Sequence, residues 1–183
     1  ELKRTRETIE YIHGSKPLVS VVNLTGTPYV QNKMIADVVY HFGLKAGIER
    51  GILKQVRILD YGNVRSEKFV EEVVETFLNE YGENRLEGRL PKIAFYGASI
   101  ADLRGNGRTQ GLKQIVEKIL ARKGISPNKV LEYHTEAEEN KEDFQKLDTA
   151  DSKKQFVLLV GMGTEGWYCR SLVACALYRK PKS

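Results

Sequence analysis

From Gln55 to Tyr178 the chain alternates short apolar runs with helical patterns, and that order narrows the fold more than any other feature. Residues 55–59 (QVRIL), 92–96 (KIAFY), 129–133 (KVLEY), 156–160 (FVLLV) and 172–178 (LVACALY) read as strands. Between them, residues 66–81 place Phe69, Val70, Val73, Val74, Phe77, Leu78 and Tyr81 on one helical stripe. Ser66 is its N-cap, Glu67 suits the positive end of the dipole, and Gly82 follows as a stop. Residues 110–123 form a second helix through Leu112, Ile115, Val116, Ile119 and Leu120, ended by Gly124 and Pro127. Strand–helix alternation predicts an α/β fold with a mainly parallel sheet. Continuous apolar strands agree, because a strand covered on both faces needs no polar alternation.

Before residue 44 the pattern differs and looks like the end of another unit. A short charged helix is expected at residues 5–11. Residues 18–24 (LVSVVNL) read as a buried strand running into Thr25-Gly26-Thr27-Pro28, and residues 37–42 (DVVYHF) as a further strand, followed by a short helix at 44–50.

Composition excludes several classes. With 41% hydrophobic residues and 29% charged, 183 residues can bury a core and are unlike a disordered chain. No apolar run approaches the ~20 residues that span a bilayer, and no secretory leader opens the chain. The two cysteines, Cys169 and Cys175, fit a reducing compartment, hence the cytoplasm. A net charge of +5 is compatible with nucleic acid without pointing to it. The start at Glu1 and the stop after Pro181-Lys182-Ser183 look like cuts, although a processed protein would show the same ends.

In open parallel sheets ligands bind at the carboxyl edge. The expected site residues therefore lie in the turns after Leu24, Tyr96, Tyr133 and Val160. Gly161-Met162-Gly163-Thr164-Glu165-Gly166 fits G-x-G-x-x-G, but no acidic residue follows Glu165, so the dinucleotide reading fails on context. Thr25 and Thr27 with Gly26 can bond phosphates, although a proline turn with threonines bonding their own backbone explains them as well. Arg104 and Arg108 flank a glycine-rich stretch and are candidate phosphate contacts; a solvated loop is the alternative. His13, His41 and His134 are scattered, which argues against a metal. The carboxylates of 136–143 read as a solvated face. Trp167 reads as a core residue or, from its place beside the glycine-rich turn, as a gating or interface residue.

Taken together these pieces resemble superfamily 2 helicases of the DEAD/DEAH type, most closely the restriction subunit of type III restriction enzymes. Leu24-Thr25-Gly26-Thr27-Pro28 is similar to motif III. Val38-Val39-Tyr40 through Leu44, Ala46, Ile48 and Gly51 resembles the crossing between the two RecA-like domains. Lys92-Ile93-Ala94-Phe95-Tyr96-Gly97 is similar to motif IV, and residues 144–182, with Gly163-Thr164-Glu165-Gly166-Trp167, to the motif V region. The resemblance implies a remnant of the first RecA-like domain at 1–44, a crossing at 45–60 and an incomplete second domain at 61–183. It implies that Thr25, Gly26 and Thr27 couple hydrolysis to strand movement. Tyr96, Gly97 and Ser99 would form the nucleic-acid face, and Gly163, Thr164, Glu165, Gly166 and Trp167 would meet nucleotide and nucleic acid. Where the family carries Asp or Asn after Glu-Gly-Trp, this chain has Tyr168, which is not given the usual role. The Walker A lysine, the Walker B acidic pair and motif VI are not in the sequence. ATP and Mg are therefore expected cofactors of the parent enzyme, with none bound by this fragment alone and no catalytic set complete here. DNA, as single strand or duplex backbone, and a methyltransferase modification subunit are the expected partners, with no membrane. The rival expectation is a catalytically dead RecA-like module that binds single-stranded nucleic acid or a protein.

Overall fold

The computed structural model describes residues 2–26, 29–31, 33–35, 38–63, 65–106, 108–162 and 167–179. The chain divides into two compact units, Glu1–Ile58 and Leu59–Ser183.

The first unit holds helix α1 (Leu2–Ser15), a short antiparallel pair β1 (Tyr29–Val30) and β2 (Lys33–Met34), and helix α2 (Leu44–Glu49). Helix α1 is longer than the sequence suggested. An Arg6–Glu10 pair at 2.9 Å supports its middle turn, and it runs on past Gly14. Within the unit, Arg50 lies 5.2 Å from the Phe42 ring. The buried strand expected at 18–24 is not formed. Val19 and Leu24 are 103% and 94% exposed, and no ladder is assigned to them. Residues 38–42 and 55–59 likewise are not strands, and Val39, Val56 and Ile58 are exposed. A β-branched run becomes a strand only beside a partner that takes its N–H and C=O groups and covers one face.

The second unit is mixed α/β. It comprises α3 (Glu67–Glu80), β3 (Lys92–Gly97), α4 (Ile100–Arg104), the hairpin β4 (Gly105–Asn106) and β5 (Thr109–Gln110), α5 (Leu112–Arg122), β6 (Val130–Tyr133), α6 (Lys141–Gln145), β7 (Phe156–Leu159) and β8 (Leu172–Tyr178). Strands β6-β7-β3-β8 form one sheet in that order, parallel at every pairing. Phe95 stands opposite Leu158, and Leu131 opposite Val157.

Period-two alternation divides the core between the sheet's faces. Ile93, Phe95, Phe156 and Leu158 meet Phe69, Val70, Val74 and Phe77 of α3 and Ile115, Val116 and Ile119 of α5. Ala94, Leu131, Tyr133, Val157 and Leu159 meet Leu147, Phe144 and Trp167 on the other face. Ser66 caps α3 by accepting from the Phe69 amide at 3.0 Å. At the rim between α3 and α5, Glu67 pairs with Lys118 and Arg122, Glu71 with Arg122 at 3.1 Å and Glu75 with Lys123 at 2.7 Å. Among the described residues no helix is long and apolar enough to cross a membrane.

Candidate site at the carboxyl edge of the sheet

Parallel strands deliver their carboxyl ends to one edge, so the turns after β3, β6 and β7 lie along it. At the first turn Gly97 leaves little room for a side chain. A Cβ there would meet Leu103 Cδ2 at 3.0 Å and Val160 Cγ2 at 3.4 Å, so the glycine lets α4 pack close against the strand end. Ser99 caps α4. Its hydroxyl accepts from the Asp102 amide at 3.1 Å and donates to Asp102 Oδ2 at 2.9 Å. Asp102 in turn lies 3.7 Å from Arg65, whose carbonyl accepts from the Tyr178 hydroxyl at 3.1 Å. The Ser99 hydroxyl therefore serves the backbone of its own turn. Tyr96 is half-buried, and burial pushes its phenol pKa up.

The second turn holds a cluster of charged side chains. Glu132 on β6 is 5% exposed, and three donors converge on its carboxylate. Arg104 Nε donates to Oε1 at 2.7 Å and Lys113 Nζ to Oε2 at 3.1 Å. His134 Nε2 lies 2.8 Å from Oε1. The Glu136 amide donates to His134 Nδ1 at 3.1 Å, which leaves the ring proton on Nε2, pointing at Glu132. Burial pushes the Glu132 carboxyl up, but the hydrogen bonds from His134, Arg104 and Lys113 outweigh it and hold the pKa down to about 2. The Asn140 side chain also donates to the Glu132 carbonyl at 2.9 Å.

The third turn follows β7. Gly163, Thr164, Glu165 and Gly166 lie outside the described residues, as does Thr27. Trp167 closes the turn. Its ring stacks on Phe144 with centroids 5.1 Å apart, and Phe144 stacks on Tyr133 at 4.2 Å. The turn's return is thereby tied to the end of β6. Tyr168 is 76% exposed, and its hydroxyl accepts from Arg170 Nε at 3.1 Å, a surface contact.

The amino edge is closed by its own polar lock. Asp148 Oδ1 accepts from the Ser171 amide at 2.9 Å and the Ser171 hydroxyl at 2.7 Å. Against burial, these bonds hold the Asp148 pKa to about 2. Lys92 at the start of β3 is fully buried and donates to the Leu90 carbonyl at 2.8 Å, and burial lowers its pKa. Cys169 is buried, and burial raises its thiol pKa; Cys175 is exposed. Neither edge gathers three metal-donor side chains among the described residues.

Tyr96, Gly97, Ser99 and Trp167 thus share the carboxyl edge, with Arg104 at its rim. Arg104 is tied to Glu132, which qualifies its expected role as a phosphate contact. Thr25 and Gly26 belong to the first unit and are exposed there. Sequence reasoning passed over Glu132 and treated His134 as solitary, while Lys113 carried no signal and Phe144 entered only as the start of the stretch likened to motif V. A charged residue inside an otherwise apolar covered strand was the one available sign. Compared with known proteins, the chain matches no protein-family model, no curated protein and no solved structure.

Proposed function

We propose that this chain supplies the second RecA-like half of an ATP-dependent DNA helicase or translocase, of the kind found in the restriction subunit of type III restriction enzymes, together with part of the first half. The observation that carries the reading is the parallel β6-β7-β3-β8 sheet. It sets the turn from Tyr96 to Ser99 and the turn closed by Trp167 along one edge. Turns of this kind offer N–H and hydroxyl donors to a nucleic-acid backbone without reading its bases. In this reading the Thr25–Thr27 stretch couples nucleotide hydrolysis to movement, and Gly163 to Trp167 face nucleotide and strand. ATP and Mg act in the parent enzyme with a phosphate cradle, a metal-holding acidic pair and an arginine that this sequence does not contain.

Fluorescence anisotropy with labelled oligo(dT) and mixed-sequence single strands tests the reading. The chain binds both alike, and affinity falls at least tenfold between about 50 and 200 mM salt. In the same preparation ATP turnover stays at the buffer level. Absence of single-strand binding, or a strong preference for one sequence, overturns the reading.

A further inference from the structure

A polar groove opens beside the Glu132 cluster, between the β4–β5 hairpin and the start of α5. Arg104, Asn106, Arg108, Thr109, Gln110 and Gln114 line it, around a volume of about 370 Å³. Its frame is closely built. A Cβ on Gly111 would fall 2.3 Å from the Gly105 amide nitrogen and 2.4 Å from the Leu103 carbonyl oxygen. The two ends of the hairpin therefore touch backbone to backbone, and Gly105 takes a φ of +79° to allow it. At the tip Asn106 Oδ1 accepts from the Thr109 amide at 3.0 Å, the Thr109 hydroxyl at 2.8 Å and the Arg108 amide at 3.3 Å. The backbone that carries Arg108 is held by these bonds.

Charge separates the two arginines. Arg104 and Lys113 share the Glu132 carboxylate, and the carboxylates of Glu136 and Glu139 also act on Arg104. The Arg108 guanidinium makes no hydrogen bond or ion pair to a described residue. Among the described residues the groove thus presents one uncompensated cation, with amide and hydroxyl groups beside it and carboxylates behind. No aromatic ring among the described residues lines it, so they offer no surface on which to stack a base. We propose that this groove holds a single phosphodiester group of a nucleic-acid strand, with Arg108 supplying the charge and Thr109 and Gln110 the hydrogen bonds. A singly charged diester matches one free guanidinium. The polyphosphate of a nucleotide would bring surplus negative charge against Glu132, Glu136 and Glu139.

The inference rests on the nucleic-acid reading above, and the test tells the two apart. Oligo(dT) binding is measured for the full chain and for Arg108→Ala, Arg108→Lys and Gln110→Ala, with inorganic pyrophosphate as competitor. Both replaced side chains, Arg108 and Gln110, are exposed, and unchanged thermal melting shows that the variants fold. Arg108→Ala weakens binding about fivefold and lowers the slope of log affinity against log salt by about 0.7, the loss of one phosphate contact. Arg108→Lys restores most of the slope, and pyrophosphate competes poorly. If the unaltered chain binds oligo(dT) and the variants bind it equally well, the groove proposal falls while the proposed function stands. If the unaltered chain does not bind, the proposed function falls and takes the groove with it. Strong competition by pyrophosphate that Arg108→Ala abolishes identifies a polyphosphate site and also overturns the proposal.

Discussion

Glu132 gathers a cationic cluster around one buried carboxylate in the second unit. Its carboxylate is buried on an edge strand and charged because three donors reach it from α4, α5 and the turn after β6. A folded-state pKa of about 2 against an ordinary value of 4.5 has a definite sign. A depressed carboxyl stabilises the fold above the unfolded value and loses that contribution as pH falls toward the folded one, here from about pH 4.5 to pH 2. The shift corresponds to about 3 kcal/mol at neutral pH. Glu132→Gln keeps the shape and removes the charge, while Arg104 and Lys113, both partly exposed, turn to water. It costs about 2 kcal/mol at pH 7. Urea midpoints measured from pH 7 down to pH 3 show the gap between variant and parent narrowing with acid; parallel curves refute this account. Asp148, also held to about 2, adds a similar acid sensitivity that Glu132→Gln leaves intact. At this scale the site was partly legible. Gly97, Ser99 and Trp167 stood out because strand-end turns concentrate glycine and hydroxyl residues. His134 did not, because its partner two residues back was hidden in a strand reading Val-Leu-Glu-Tyr.

Elements with two independent cues were readable from the chain. Helix α3 has a cap, a dipole-compatible Glu67 and a continuous stripe, and it forms over Glu67–Glu80. Strands β3 and β7 are apolar on both faces and are covered on both faces. The runs at 18–24 and 55–59 had one cue only. Periodicity reports which side chains favour cover, not whether a neighbouring ladder exists to pair with. The Gly105–Gly111 stretch, which reads as a solvated loop or a phosphate grip, is exposed at Asn106, Arg108, Thr109 and Gln110, and Gly105 and Gly111 let two backbones meet and close a hairpin next to α5. Gly111→Ala tests that reading, because its Cβ would meet backbone atoms at 2.3–2.4 Å rather than a movable side-chain tip. A loss of about 3 kcal/mol is expected in equilibrium unfolding. Gly88→Ala gives a comparison for backbone strain without collision, since Gly88 has a positive φ and nothing within 4 Å of its Cβ position. The collision at Gly111 makes it the costlier of the two, and a smaller loss at Gly111 than at Gly88 contradicts the close approach.

Across the whole chain, burial is divided unevenly between the two units. The second contains both core clusters and the parallel sheet. In the first, apolar residues such as Val19, Val22, Leu24, Val39 and Tyr40 are largely exposed, and the assigned strand pairing is two residues long on each side. Charge is uneven in the same direction. Residues 1–58 hold nine of the Lys and Arg and five of the Asp and Glu, a net +4 of the chain's +5. Local opening free energy follows buried contacts and protected backbone bonds, so the two units differ in how readily they open. Limited trypsin digestion under native conditions should therefore remove the first unit early. Arg57 lies in an exposed segment outside helix and strand, and cleavage after it leaves a fragment that begins at Ile58 and keeps the entire sheet. Mass spectrometry identifies that fragment, and its melting transition is expected to match the main transition of the intact chain. Hydrogen exchange gives the complementary pattern: amides of 19–24 and 55–59 exchange within seconds, while those of Phe95, Val157 and Leu158 remain protected. Slow exchange across 19–24 in the purified chain would mean that a ladder partner is present, and early cleavage within 92–97 would mean that the second unit does not hold together without the first.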